Sequence, residues 1–254
     1  MSELTEFKNF SKILTRASSE IIKTYFRTGV SVESKSDNSP VTIADKKAEE
    51  VMRELISKHF PNHGIVGEEF GETNKDTEYK WILDPIDGTK SFICGAYSFG
   101  TLIGLLRKGQ PILGVYHHPI LNDFLIGDNL ATEINDAKTV IRNCDDLNKA
   151  ILLTTDHLNI EKYQKIDKFE QLIKKVKLYR NWGDCYGYYL LATGYADIMI
   201  DPIMSPWDLL PLIPIIKGAG GIISDYQGND SVKGKSAVAS SPQIHSKVIS
   251  LLNN

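Results

Sequence analysis

Phe7, Phe10, Ile13, Leu14, Ala17, Ile21 and Tyr25 return every three or four positions, which places one apolar stripe along a helix. The stripe ends near Gly29, and residues 31–40 are polar and proline-ended, which predicts a loop. Ala44, Ala48, Val51, Met52, Leu55 and Ile56 form a second helical stripe that stops at Pro61. The period then changes. An apolar segment at 81–83 predicts a strand, and 99–106, 112–116 and 124–126 predict a meander of three more. Residues 107–111 read as the hairpin turn between the first two strands of that meander.

Residues 135–149 contain few apolar side chains and mark the expected boundary between an N-terminal part, 1–146, and a C-terminal part, 147–254. Beyond it strands and helices alternate. The expected order is strand 151–154, helix 160–175, strand 178–179, and helix 184–192 closed by Gly194. Strand 197–200, helix 208–217 closed by Gly218, strand 222–225, a short strand at 237–239 and a terminal helix follow. Helices, a meander and then alternation predict an α+β or α/β fold of layered sheets and helices, not a barrel.

Composition narrows the function classes. A chain of 254 residues with 42% hydrophobic and 24% charged residues is ordinary for a soluble globular protein. The net charge of −3 supplies no basic field for nucleic acid, and Lys174, Lys175 and Lys177 lack interleaved aromatics, so they read as a solvated helix end. The first residues carry neither a basic leader nor an apolar core, so no signal peptide is expected. The longest apolar run, 209–216, contains two prolines and is too short to span a bilayer. Cys94, Cys144 and Cys185 are odd in number and widely spaced, which suits a reducing cytoplasm and argues against a thiolate zinc site. His117 and His118 are neighbours in an expected strand and point to opposite faces, so a shared metal is not expected.

The candidate chemistry lies where the 81–83 strand runs out. Asp84 and Asp87 stand either side of Pro85 and Ile86, and Gly88-Thr89 follows directly. Taken alone, Asp-Pro-x-Asp-Gly is a surface turn. Glu68 and Glu69 after Gly67, together with Trp207-Asp208, argue for more. Hard divalent cations take charged oxygens, and the Ile86 carbonyl is a plausible neutral ligand between the two aspartates. Gathered carboxylates repel, and an oxygen-only set favours Mg²⁺ over zinc. Backbone amides around Gly88-Thr89 suit a phosphate at a helix start. Asp208 equally reads as a helix N-cap, and Thr89 as a capping hydroxyl.

The segments Gly67-Glu68-Glu69, 81–92, Trp207-Asp208 and 218–221 together resemble the inositol monophosphatase superfamily, and Lys35 with 39–45 resembles its N-terminal signature. The resemblance implies an αβαβα sandwich of two sheets and helices. It implies a lithium-sensitive, Mg²⁺-dependent phosphomonoesterase with two or three ions per site, Mn²⁺ being a substitute, and a homodimer. It further implies Glu68, Asp84 and the Ile86 carbonyl as ligands of a first metal, and Asp84, Asp87 and Asp208 of a second. Asp45 resembles the residue that holds a third ion through water. Thr89 and Glu68 resemble the pair that orients the attacking water, with no phosphoenzyme.

Residues 88–114 and Gly183-Asp184-Cys185-Tyr186 look more like the histidinol-phosphatase branch than the inositol branch. An acidic Asp184 would pair with the amine of an amino-alcohol phosphate, or else cap the 184–192 helix. Cys185 is placed with the substrate contacts by the same likeness. Asp201 resembles a contact to substrate hydroxyls, or ends its strand at Pro202. His117-His118-Pro119 and Asp123-Phe124 depart from that branch near expected substrate surfaces, so inositol 1-phosphate or another polyol phosphate stays open. Bisphosphate-cleaving relatives generally need extra basic residues, and none cluster beside the motifs. The different-class alternative is a non-catalytic phosphate-ligand or RNA-related regulatory protein on the same scaffold. The intact carboxylate set argues against it.

Overall fold

A computed structural model describes residues 3–29, 31–34 and 40–254; Lys35 and Ser39 of the N-terminal signature lie outside these. The first half runs α1 (Glu3–Tyr25), β1 (Val32–Ser34), β2 (Pro40–Thr42), α2 (Ile43–His59), β3 (Gly64–Gly67), β4 (Gly71–Thr73), β5 (Tyr79–Asp87) and α3 (Thr89–Ile93). It continues through β6 (Gly100–Arg107), β7 (Gln110–His118), β8 (Asp123–Gly127), β9 (Thr132–Ile134) and β10 (Ala137–Thr139). The second half runs β11 (Ile151–Thr154), α4 (His157–Tyr163), α5 (Ile166–Ile173), β12 (Leu178–Arg180), α6 (Asp184–Ala192) and β13 (Ile198–Asp201). It ends with α7 (Pro206–Gly218), β14 (Ile222–Ser224), β15 (Ala237–Ser240) and α8 (Pro242–Asn253).

Two main sheets form, ordered β10-β9-β8-β7-β6-β5-β3-β4 and β12-β11-β13-β15-β14. Strand alternation sorts most of their side chains into three large cores, while Ile86 of β5 joins a smaller fourth with Ile22, Ala44, Ala48, Phe92 and Phe99. Trp81, Leu83, Ile103 and Leu105 face Phe7, Phe10, Leu14, Met52 and Ile56 of α1 and α2. Ile82 and Leu102 face the opposite way, meeting Leu191 of α6, Leu212 and Ile216 of α7, and Met199 of the second sheet. Ile198 and Ile200 then turn outward onto Ile160, Phe169, Ile244 and Val248 of α4, α5 and α8. The result is the five-layer αβαβα sandwich.

Several local expectations change. The stretch expected as a loop at 31–40 includes a short ribbon, β1 paired with β2. The expected 160–175 helix is two helices, because the chain is extended at Gln164 and Lys165. The strand expected at 81–83 extends to Asp87, carrying both aspartates inside it.

α7 is what brings Asp208 to the first sheet. Pro211 and Pro214 lie inside this helix, and Gly114 of β7 lets it approach: a Cβ there would overlap the Pro211 carbonyl. Among the described residues no helix is long and apolar enough to cross a membrane.

Candidate functional site

The candidate carboxylates gather where strands end. β3 and β5 are parallel with Gly67 beside Leu83, and the Glu68 N–H continues that ladder by donating to the Leu83 carbonyl at 3.1 Å. Glu68 therefore leaves β3 alongside Asp84. In a regular strand Asp84 and Asp87, three residues apart, would face opposite sides. The pairing of β5 with β6 shifts here, since Asp84 opposes Leu102 whereas Asp87 opposes Gly100. One extra residue on β5 makes a bulge that turns both carboxylates to one side. Pro85, with no N–H to lose, sits in it; Thr101 Oγ1 donates to the Pro85 carbonyl at 2.8 Å, and the Ile86 N–H donates to Asp84 Oδ1 at 3.0 Å.

Asp208 reaches the same place from α7. The helix N-cap is Ser205, three residues earlier, so the N-cap reading of Asp208 is corrected. Asp208 is instead the third helical residue, and its Oδ2 accepts the Ser205 N–H at 3.1 Å. Asp84, Asp87 and Asp208 each present an oxygen within 4.8 Å of the others. Such crowding penalises charge. Burial first, then Glu68, Asp87 and Asp208, push the Asp84 carboxyl well above the usual range. Burial and Asp208 push Asp87 up, although the Cys185 N–H at 2.5 Å opposes the rise. Burial and Glu68 raise Asp208 likewise. Carboxylates so placed could hold a hard divalent cation, which would restore their ionised form.

Two neighbours fit that reading. Asp45 is buried at the start of α2, where Oδ2 accepts from Thr42 N at 2.8 Å and Thr42 Oγ1 at 2.6 Å. Its Oδ1 is buried without a hydrogen-bond partner, and burial raises the carboxyl to about 6, with Glu68 adding to the rise. An orphaned oxygen beside Glu68 suits an indirect, water-bridged contact with a cation. Gly88 has φ +88°, and a Cβ on it would press on the Ser98 carbonyl at 2.8 Å. Thr89 opens α3 and donates its hydroxyl to the Ile86 carbonyl at 3.1 Å, so it is the first helical residue and not its cap.

From the metal-type cluster a cavity of about 400 Å³ extends to the ends of β11 and β13. Asp201 and Asp156 line this distal part, and Asp184 stands between it and the cluster, its Oδ2 only 3.2 Å from where a Gly88 Cβ would lie. Asp201 is buried, its oxygens accepting from Tyr188 Oη at 3.0 Å and Thr155 N at 3.3 Å, and burial lifts its carboxyl to about 6. Asp184 begins α6 at φ +48°, uncommon for a residue with a side chain, and its N–H donates to Thr155 Oγ1 at 2.8 Å. Gly183 is the N-cap and Asp184 makes no side-chain cap, which removes the capping alternative. Burial, Asp87, Asp201 and Asp156 all raise the Asp184 carboxyl, while Lys90 opposes.

Two expectations are corrected. The Cys185 thiol is fully buried against the Asp87 carbonyl; only its backbone N–H serves the site, so it is no substrate contact. His117 and Asp123 lie away from the cavity. His117 Nδ1 is 3.3 Å from Ser19 Oγ on α1, and Asp123 Oδ2 accepts from Tyr189 Oη at 3.0 Å. His118 meets the Tyr97 carbonyl at 2.6 Å, so the two histidines do diverge. Sequence reasoning missed Lys90, Asp156, Asn159 and Asn181, all of which line the cavity. The signal for Asp156 was available: it stands two residues past the end of β11, a strand of the alternating half, where open α/β sheets bind ligands.

The family model described as the inositol monophosphatase family matches residues 3–254. The chain is 46% identical over 231 residues to the bifunctional phosphatase IMPL2, chloroplastic, of Arabidopsis thaliana, covering 89% of this chain and 66% of that one. It is 36% identical over 233 residues to the histidinol-phosphatase of Chlorobaculum parvum, covering 91% and 90%. An inositol monophosphatase structure from Zymomonas mobilis superposes with a TM-score of 0.89 at 33% identity, covering 100% of each chain.

Proposed function

Because this chain belongs to the inositol monophosphatase family, whose members are phosphatases, we propose that it is a Mg²⁺-dependent phosphate monoesterase acting on L-histidinol phosphate. The observation that carries this reading is one cavity in which the carboxylate cluster is followed, just past Gly88, by a further acid group, Asp184, with Asp156 and Asp201 beyond. Asp84, Asp87 and Asp208, with Glu68 and the Ile86 carbonyl, form the cluster that would hold two Mg²⁺ ions, and Asp45 would hold a third through water. Mg²⁺ bound there neutralises phosphate charge and acidifies water for in-line attack. Mn²⁺ would substitute, and Li⁺ would inhibit.

The chain's own groups do the rest. The Thr89 hydroxyl, with its proton committed to Ile86, would offer a lone pair to the attacking water, and the Glu68 carboxylate would accept that water's proton. As the water oxygen bonds to phosphorus the ester P–O bond breaks, and the departing alkoxide takes a proton from solvent to leave as the alcohol. The first amides of α3, which have no intrahelical acceptor, receive the non-bridging phosphate oxygens above Gly88. Just past Gly88, Asp184, with Asp201 and Asp156 on its other side, would receive the substrate ammonium in a charge-assisted hydrogen bond. The name of the Chlorobaculum parvum relative supports that choice.

A hydroxyl-rich ester such as inositol 1-phosphate is the second reading, because Thr155, Asn159 and Asn181 offer neutral hydrogen-bonding groups in the same cavity. Phosphate release from both esters, with and without Mg²⁺, separates the two. Faster Mg²⁺-dependent release from L-histidinol phosphate is expected. The reverse order would move the protein to the polyol esters, and release without any divalent ion would remove the metal reading. Three unpaired cysteines, one of them exposed, support a cytoplasmic location, and family resemblance supports a homodimer that light scattering would detect.

A further inference from the structure

α2 brings more than Asp45 to the site. Glu49 and Arg53 follow on the same helix face at successive i,i+4 steps, and neither has a role in the reading above. The Glu49 side chain is completely buried, a position a carboxylate occupies only with partners for its oxygens. Those partners surround Glu68. Glu49 Oε2 accepts the Glu69 N–H at 2.8 Å; Oε1 accepts the Phe70 N–H at 3.2 Å and Arg53 Nε at 2.6 Å. The other arm of Arg53 donates to the Gly71 carbonyl. On the near side, a Cβ at Gly67 would overlap the Glu49 carboxylate itself.

The turn from Gly67 to Gly71 is therefore folded around one acid group. Its apolar residue, Phe70, is 51% exposed, so no core side chain anchors it. Before Glu68 the chain is fixed by the Leu83 carbonyl, and immediately after it by Glu49. We infer that Glu49 is a positioning residue: its hold on the Glu69 and Phe70 amides sets the aim of Glu68 toward the Asp84, Asp87 and Asp208 cluster, and so sets divalent-cation affinity. The inference rests on the metal-dependent reading of that cluster.

Glu49→Gln tests it, because Gln keeps the size but sets an NH₂ against either the Glu69 N–H or the Phe70 and Arg53 donors. The variant should bind Mn²⁺, followed by the electron paramagnetic resonance of the free ion, about 10- to 100-fold more weakly than the parent. Half-saturating Mg²⁺ for phosphate release should rise by the same factor, with kcat largely recovered at high Mg²⁺. A merely structural role would lower Tm and leave the Mn²⁺ affinity alone. Folded Glu49→Gln with Mn²⁺ affinity within about twofold of the parent would overturn the inference. Should that variant not fold, Gly67→Ala displaces the carboxylate from its other side and carries the same expected loss; unaltered Mn²⁺ affinity there is equally fatal. If the parent binds Mn²⁺ but hydrolyses neither ester, the proposed function fails while the Mn²⁺ comparison still decides Glu49.

Discussion

At Asp84, Asp87 and Asp208, protons and a cation compete for the same oxygens, and burial raises all three carboxyls toward neutrality. A carboxyl raised on folding stabilises the fold below its unfolded value and loses that contribution as pH rises through the folded one. Asp45 and Asp201, raised from 3.8 to about 6, follow that sign. His117 and His245 oppose it: burial lowers them from 6.5 to about 4, so their contribution is present above 6.5 and fades as pH falls. Metal-free stability therefore mixes two signs, and the increment in Tm on adding Mg²⁺ isolates the cluster. That increment should grow from about pH 5 to about pH 8, and a flat profile would take the cation away from these carboxylates. Asp84→Asn should reduce Mg²⁺-dependent hydrolysis by about 100-fold or more while the metal-free protein melts no lower, since one repelling charge is gone. Asp184→Asn should raise KM for L-histidinol phosphate by about 10-fold and leave inositol 1-phosphate unaffected, as measured by steady-state kinetics; equal loss on both esters would give Asp184 a structural role.

Among the elements, α7 ties stability to the site. An interior proline ordinarily costs a helix about 3 kcal/mol, and this one has two. The helix gains contact in return, lying on β6 and β7 where glycines leave its backbone room. Gly114→Ala should therefore lower unfolding free energy by about 3 kcal/mol and also weaken Mn²⁺ binding, because the helix that must shift carries Asp208. Loss of stability in urea with unchanged Mn²⁺ affinity would detach the helix seat from the metal cluster. How much could be read in advance follows the same physics. α1 and α2 showed a clear stripe because one face of each is polar. α7 is buried nearly all round, so periodicity is silent and only Trp207-Asp208 marked its start. β3 and β4 were missed because Gly-Ile-Val-Gly and Gly-Glu-Thr show no alternation, and the break between α4 and α5 has no proline or glycine to announce it. The aspartate cluster was legible from adjacent motifs, whereas Glu49 looked like any charged residue on a helix until folding set it under the Glu68 turn.

On the scale of the whole molecule, the boundary near residue 147 separates two sheets but not two cores. Ile82, Leu102, Tyr116 and Leu125 from the first part share a single cluster with Leu153, Leu191, Met199 and the inner face of α7 from the second. The candidate site is divided in the same way, with Glu68, Asp84 and Asp87 on one side of the boundary and Asp208 on the other. Residues 1–146 alone would leave those four large apolar side chains in water, at about 25 cal/mol for each Å² exposed, and would lack Asp208. The full chain should accordingly unfold in one cooperative transition, seen alike by near-ultraviolet and far-ultraviolet circular dichroism, and Mg²⁺ should move that transition upward without splitting it. Two transitions, with only the earlier one responding to Mg²⁺, would mean that the halves fold independently and that Asp208 is brought to the cluster by docking, so that cation affinity would depend on the contact between halves. A single transition makes the middle layer, α6 and α7, the common support of both sheets, and any substitution that loosens it should cost stability and cation affinity together.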